Sequence, residues 1–317
     1  MTKIRKGDMM KIFFEIDEID ADISPTSVAL GTFDGLHIGH IEVLRAMKQS
    51  AADKGLKSFV YTFSNHPREI LTPDNVPSKI MDIDEKVQIF TRIDVDYLAL
   101  IKFDENQILY EPEDFIKEVL INTLNMKHLT VGYDYRFGKK AGGDVDILIA
   151  LSEKYGYTFE IVEPIMKNDM RISSTLIREL LQDGRIDEAN YYLGRSHFIK
   201  GTVVRGKGVG HTIGFPTANL RIKENISTIK PGVYITETVW LGKTYPSVTN
   251  VGFNPTFEQT GIHLETYIIG IDQKMYDEVI EVHFLKRLRD ELKFDSIDAL
   301  VIAMNGDLVK TKAHFGL

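Results

Sequence analysis

Two histidines three residues apart, His37 and His40, follow an apolar run in the stretch "VALGTFDGLHIGH", among Gly31, Gly35 and Gly39. Imidazoles placed this way can donate hydrogen bonds to phosphate oxygens and stabilise the charge that develops in phosphoryl or nucleotidyl transfer. The glycines let the backbone approach a ligand where a bulkier residue would not. Either histidine alone reads as a helix cap. The pair directly after a strand, with Asp34 in the turn, reads as an anion site at a helix start. Metal binding by the two is open, although no third ligand is evident nearby.

Two further stretches carry polar chemistry. In "ISSTLIREL", Ser173, Ser174 and Thr175 precede an apolar-periodic helix and can hydrogen-bond a phosphate, with Arg178 adding charge from the first turn. Plain helix capping is the alternative there. "VGYDYRFGKKAGGD", residues 131–144, sets Tyr133, Asp134, Tyr135, Arg136 and Phe137 among glycines, which suits stacking on a flat ring system and equally an ordinary loop.

In "GTVVRGKGVGHTIGFPTANL", residues 201–220, Gly201, Gly206 and Lys207 match the spacing of a phosphate-binding loop. Gly208 then occupies the place where that loop needs a Ser or Thr for magnesium, so the reading fails. What remains is a glycine-rich flap, Gly206, Lys207, Gly208 and Gly210, followed by a Pro216 turn. Thr217 and Asn219, two apart, can present neutral oxygens on one side of an extended segment; such oxygens plus substrate phosphates suit magnesium. A polar turn is the alternative. Glu265 in "HLETYII" can turn by strand alternation to the mouth of a barrel, or be a solvated strand glutamate, the more frequent fate of a lone Glu.

Such groups need a scaffold. From Thr26 to about Asp183, short apolar strands ("VAL", "LKSFVYTF", "YLALIKF", "HLTVG", "YTFEIV") alternate with amphipathic helices ("HIEVLRAMKQSAADKG", "EPEDFIKEVLINTL", "DVDILIALSEKYG"). That rhythm predicts an α/β domain with a parallel sheet covered on both faces and ligands at the carboxyl ends of its strands. After Leu193, "HFIKGTVV", "GVYITETVWL", "HLETYIIGI" and "EVIEVHFL" are β-rich, and only "SIDALVIAMNGDLVKTKAHF" is helical. This half predicts a small antiparallel β-barrel with a terminal helix. The expected domains are residues 1–184 and 185–317, with the boundary inside 182–197.

Composition narrows the partners. A chain of 317 residues suits about two domains, and a net charge of −8 disfavours a polyanion, so nucleic acid is not the expected partner. Zero cysteines exclude disulfides and thiolate zinc, and fit a reducing, cytoplasmic setting. Lys11 and Glu15 interrupt the one apolar stretch near the start, and no run approaches a membrane span.

"GTFDGLHIGH", "VGYDYRFG" and "ISSTLIREL" together resemble the adenylyltransferase half of bacterial bifunctional riboflavin kinase/FAD synthetases. "GFPTAN", "PGVY", "NVGFNPTF" and "HLETY" resemble, in order, the kinase half. The resemblance runs from about residue 24 to the end. It implies a Rossmann-like nucleotidyltransferase domain and a six-stranded barrel, which convert riboflavin to FMN and FMN to FAD, each with ATP. It further implies that Gly31, Phe33, Asp34, His37, Gly39, His40, Ser173, Ser174, Thr175 and Arg178 meet ATP in the first domain, with Asp134, Tyr135 and Phe137 near the flavin. In the second, the flap glycines and Lys207 meet ATP, Thr217 and Asn219 hold Mg²⁺ together with ATP, and Glu265 is the base; no tightly bound metal is implied. The chain departs from the family's frequent residues at Asn65, Leu176, His211, Asn254, Tyr267 and Gly270, and lacks a glutamine in the last helix. A family member with a dead kinase half, a flavin-binding regulator and another nucleotidyltransferase are the competing readings.

Overall fold

The computed structural model describes residues 10–167, 170–206, 210, 213–222, 229–253 and 262–317. Contacts divide the chain into two compact units, residues 1–77 with 83–173, and residues 78–82 with 174–317. The expected boundary at 184/185 falls between the helices Ser174–Asp183 and Ile186–Leu193, both of which belong to the second unit by their contacts.

The first unit is a six-stranded sheet of β1 (Lys11–Phe13), β2 (Thr26–Leu30), β3 (Lys57–Phe63), β4 (Tyr97–Ile101), β5 (Met126–Gly132) and β6 (Thr158–Val162), in the order β1-β4-β3-β2-β5-β6. Every pairing is parallel, as the alternating pattern predicts. All five residues of β2 are buried, which is the fate of a strand covered on both faces. The chain leaves β2 towards β3 on one side and later returns to β5 on the other. The carboxyl ends of β2 and β5 therefore flank the switch point, the crevice where open α/β sheets hold ligands.

The helix Ile38–Lys54 follows β2 and stops at Gly55, whose φ of 64° gives the left-handed close predicted from the sequence. β1 and the helix Ile83–Ile93 were not anticipated. The stretch "FIKEVLINT" differs in kind. Residues Phe115–Thr123 wind as a π-helix, closed by Leu124 N–H to the Val119 carbonyl, where an α-helix was expected. The wider turn sets Phe115, Val119, Leu120 and Leu124 towards the core together, and all four are buried. A short hairpin, β7 (Met166–Lys167) and β8 (Met170–Arg171), follows β6.

The second unit is a closed antiparallel barrel of β9 (His197–Val204), β10 (Ala218–Ile222), β11 (Gly232–Trp240), β12 (Lys243–Phe253), β13 (Ile262–Ile268) and β14 (Val279–Arg289), ordered β10-β13-β12-β11-β14-β9. β12 escaped the sequence reading because Pro246 breaks its pattern; it nevertheless pairs in register with Glu237. The barrel is filled partly by hydroxyls. Thr238, Ser247, Thr236, Thr249 and Thr266 form a buried chain with successive oxygens 2.8–3.0 Å apart, which satisfies polar groups that would otherwise be costly inside. The expected terminal helix is Ile297–Phe315, capped by Ser296 and Gly316. It is tied to the barrel by Arg289, whose guanidinium grips Asp307 through Nε at 3.0 Å and Nη2 at 2.7 Å.

Candidate active sites

The histidine turn lies at the carboxyl end of β2. His37 is the N-cap of the helix Ile38–Lys54, and its Nδ1 accepts the His40 N–H at 3.3 Å. An accepting Nδ1 places the proton of the neutral ring on Nε2. The two imidazoles stack, with centroids 3.7 Å apart and planes 15° from parallel. The structure thus brings the predicted pair together at a helix start, where the helix dipole favours an anion.

Phe33 (φ 47°), Gly35 (φ 81°) and Leu36 (φ 42°) turn the chain through left-handed backbone, a conformation that costs the two larger residues energy and persists only where packing dictates it. Phe33 and Leu36 are fully buried. The Phe33 ring, of a residue expected with Gly31 at the nucleotide, packs edge-on against His40 at 5.3 Å and Phe90 at 5.9 Å. Gly31 seats that ring, since a Cβ there would lie 2.9 Å from Phe33 Cζ. Both residues buttress the histidines. Asp34 is buried within the turn.

Beneath the turn, Lys86 Nζ donates to the carbonyls of Thr32 at 2.8 Å and Phe63 at 3.1 Å, fixing the ends of β2 and β3 with a buried positive charge. Nothing in the sequence distinguished it from a solvent-facing helical lysine.

Across the switch point, the loop after β5 forms a cleft with Tyr133, Asp134, Tyr135 and Arg136 in its wall. Asp134 pairs with Arg171, whose guanidinium lies 4.8 Å from the Tyr133 ring. Phe137, expected near the flavin, packs in the core against Phe115, and a Cβ at Gly143 would strike its ring at 2.7 Å. Its aromatic face is used by Tyr135, stacked at 5.9 Å. Ser173 lies in the first unit; Ser174, Thr175 and Arg178 begin a helix of the second, where Arg178 Nε donates to the Ser78 carbonyl at 2.7 Å.

Cavities of two kinds are lined by described residues of the barrel unit. One, about 250 Å³, lies between the barrel wall and the terminal helix, with Glu265, Tyr267, Asn250, Glu291, Leu300 and Met304 in its lining. The other, about 440 Å³, is lined by Gly206, Asn219, Thr266, Lys274 and Tyr276 among others. Gly210 and Thr217 line both. The flap presses close: a Cβ at Gly206 would lie 2.4 Å from the Asn219 amide, and one at Gly210 2.3 Å from the Phe215 carbonyl. Lys207 and Gly208 lie outside the described residues.

Along β13, Leu264, Thr266 and Ile268 point inward while His263, Glu265 and Tyr267 are partly exposed. Glu265 therefore faces the cavity under the terminal helix, on the outer side of the wall and not at the barrel mouth, because period-two alternation assigns the inner side to its neighbours. Its Oε1 is 2.9 Å from His263 Nε2. Asn219 on β10 and Asn250 on β12 are its register partners.

Sequence models of two families match in the same order as these units: FAD synthetase over residues 19–176 and riboflavin kinase over 193–315. The bifunctional riboflavin kinase/FMN adenylyltransferase of Haemophilus influenzae is 34% identical over 290 residues, covering 91% of this chain and 94% of the relative. The chain belongs to this bifunctional family. The enzyme of the same name from Bacillus subtilis is 35% identical over 91% of this chain and 92% of its own length. A crystal structure of a Streptococcus pneumoniae protein, titled a macrolide-efflux protein, superposes with a TM-score of 0.86 at 30% identity, covering 96% of this chain and 99% of that one. Among the described residues, no helix of the present chain is long and apolar enough to cross a membrane.

For a family whose reactions use ATP, the donor set at Thr217 and Asn219 is chemically apt for a hard divalent ion. Both offer neutral oxygens, Asn219 is buried, and substrate phosphates would supply the anionic ligands. Among the described residues there is no cluster of three His, Asp or Glu that would hold a metal by itself.

Proposed function

We infer that the chain carries out both reactions of its family: riboflavin plus ATP gives FMN and ADP in the barrel unit, and FMN plus ATP gives FAD and pyrophosphate in the α/β unit. Two family matches, in order within one chain, carry this reading.

In the barrel, the cavity at Glu265 takes the flavin and the cavity at Asn219 takes ATP, with Thr217 between them, where donor phosphate and acceptor hydroxyl must meet. Glu265 accepts the proton of the ribityl 5′-hydroxyl as its oxygen attacks the γ-phosphorus, and ADP departs with the bonding pair. Thr217 and Asn219 hold Mg²⁺, which neutralises phosphate charge when bound. Gly206 and Gly210 border the ATP phosphates, and Lys207 and Gly208 are phosphate ligands on the strength of the resemblance.

In the α/β unit the acceptor, an FMN phosphate, is already ionised and needs no base. His37 and His40 align ATP phosphates and stabilise the charge that passes to pyrophosphate, with Asp34 and Gly39 shaping the turn. Asp134 and Tyr135 border the flavin. Ser173, Ser174, Thr175 and Arg178 are further phosphate ligands on the strength of the resemblance. The cytoplasm, where ATP and reduced thiols prevail, is the compartment of this reading.

The test is a time course with riboflavin, ATP and Mg²⁺, separating riboflavin, FMN and FAD. FMN followed by FAD supports both assignments. FAD formed only from supplied FMN means a dead kinase, and no turnover of either flavin means a binding protein.

A further inference from the structure

We propose that His263 is a positioning residue for the kinase reaction: it fixes one oxygen of the Glu265 carboxylate so that the other faces the acceptor hydroxyl. The proposal rests on the assignment of Glu265 as the base. His263 and Glu265 are two apart on β13 and so share its outer face, and Nε2 of the ring lies 2.9 Å from Oε1. The register partner of His263 on β12 is Gly252, and the space over that glycine holds the Glu291 carboxylate, whose Oε1 would lie 2.7 Å from a Cβ there.

A carboxylate on a strand has free rotation about its terminal bonds, and general-base catalysis requires one oxygen within hydrogen-bond reach of the proton. With a proton on Nε2, His263 donates to Oε1 and arrests that rotation. Oε2 then remains to take the hydroxyl proton while the hydroxyl oxygen forms its bond to phosphorus. The other groups around the carboxylate do not duplicate this role. Asn250 directs its amide to Glu291 Oε1 at 3.3 Å, and Arg289 is engaged with Asp307. Asn219, on the other side, directs its Nδ2 towards the Thr217 carbonyl. Charged side chains near the pair are thus Glu291, Arg289 and Asp307, two of which neutralise each other.

The experiment compares His263→Ala, His263→Gln and Glu265→Gln in the full-length protein, measuring kcat and KM for FMN formation and riboflavin binding by fluorescence quenching. Gln places its Nε2 donor where the imidazole Nε2 stands. His263→Ala is expected to lower kcat about ten-fold, the worth of one hydrogen bond to a charged group, with riboflavin KM and binding unchanged. His263→Gln is expected to recover most of that loss. Unchanged kcat in His263→Ala beside an inactive Glu265→Gln overturns the positioning role and leaves the base assignment intact. Equal impairment in the Ala and Gln variants, or a loss of riboflavin binding, also overturns it. An active Glu265→Gln removes the base assignment, and this proposal with it.

Discussion

Asn219 and Glu265 stand directly opposite each other on neighbouring antiparallel strands, although two further strands of the barrel separate them along the chain. Cross-strand partners have Cβ atoms about 5 Å apart and side chains on the same face. The residue assigned to the metal and the residue assigned to the proton are thereby fixed beside each other by backbone pairing alone.

That adjacency makes the kinase separable from the adenylyltransferase. Asn219→Ala and Glu265→Gln are each expected to lower FMN formation by about 10² to 10⁴ while conversion of supplied FMN to FAD proceeds at the wild-type rate. Chromatographic assay of both steps checks this, and a loss of FAD formation in either variant would refute two independent sites.

His37 serves two purposes, capping a helix and presenting an imidazole, and one substitution separates them. Asparagine is a good N-cap, so His37→Asn should keep the unfolding midpoint while FAD formation falls by about 10². Retained adenylyltransfer would reduce His37 to a cap.

Gly31 carries its effect through a neighbour. A methyl at this position would displace the Phe33 ring that supports His40. Gly31→Ala is therefore expected to slow FAD formation and leave FMN formation unaffected; equal FAD rates would show that the ring can move aside without cost.

Two buried histidines set the acid limit of stability. Burial, and secondarily Lys54, lowers His128 to about 4; burial, Arg195 and His283 lower His197 to about 3. Each is neutral in the fold and titrates near 6.5 when unfolded, so the unfolded chain binds more protons as pH falls below 6.5. Stability is full above that pH and declines down to the folded values, by up to about 1.4 kcal/mol per histidine per pH unit. Urea titrations from pH 7 to 5 should show this slope. His128→Asn, which can keep the bond to Thr158, should flatten it in the first unit.

The Arg289–Asp307 pair joins the terminal helix to the barrel at the wall of the cavity that Glu265 lines. Removing one partner leaves the other poorly solvated, so Asp307→Ala should destabilise the barrel unit by on the order of 3 kcal/mol and weaken riboflavin binding. Unchanged urea stability would show that the helix docks by its apolar residues alone.

By itself the sequence determined the local and the periodic. Alternating apolar runs called for a parallel sheet, and the spacing of His37 from His40 placed both at the start of one helix. Motif order along the chain was enough to point to the family. Tertiary structure decided what depends on which residues meet across the chain. Lys86 looked like any helical lysine until the ends of β2 and β3 closed over it. Phe137 looked available for stacking until Phe115 and Gly143 enclosed it. Period-two alternation allowed Glu265 either side of the wall. Only closure of the barrel made the inner side the place of Thr266 and its chain of hydroxyls, leaving Glu265 to His263, Asn219 and the cavity under the terminal helix. The physical reason is the same each time: spacing along a strand or helix fixes which residues share a face, whereas burial and charge pairing depend on the elements that come to rest against that face.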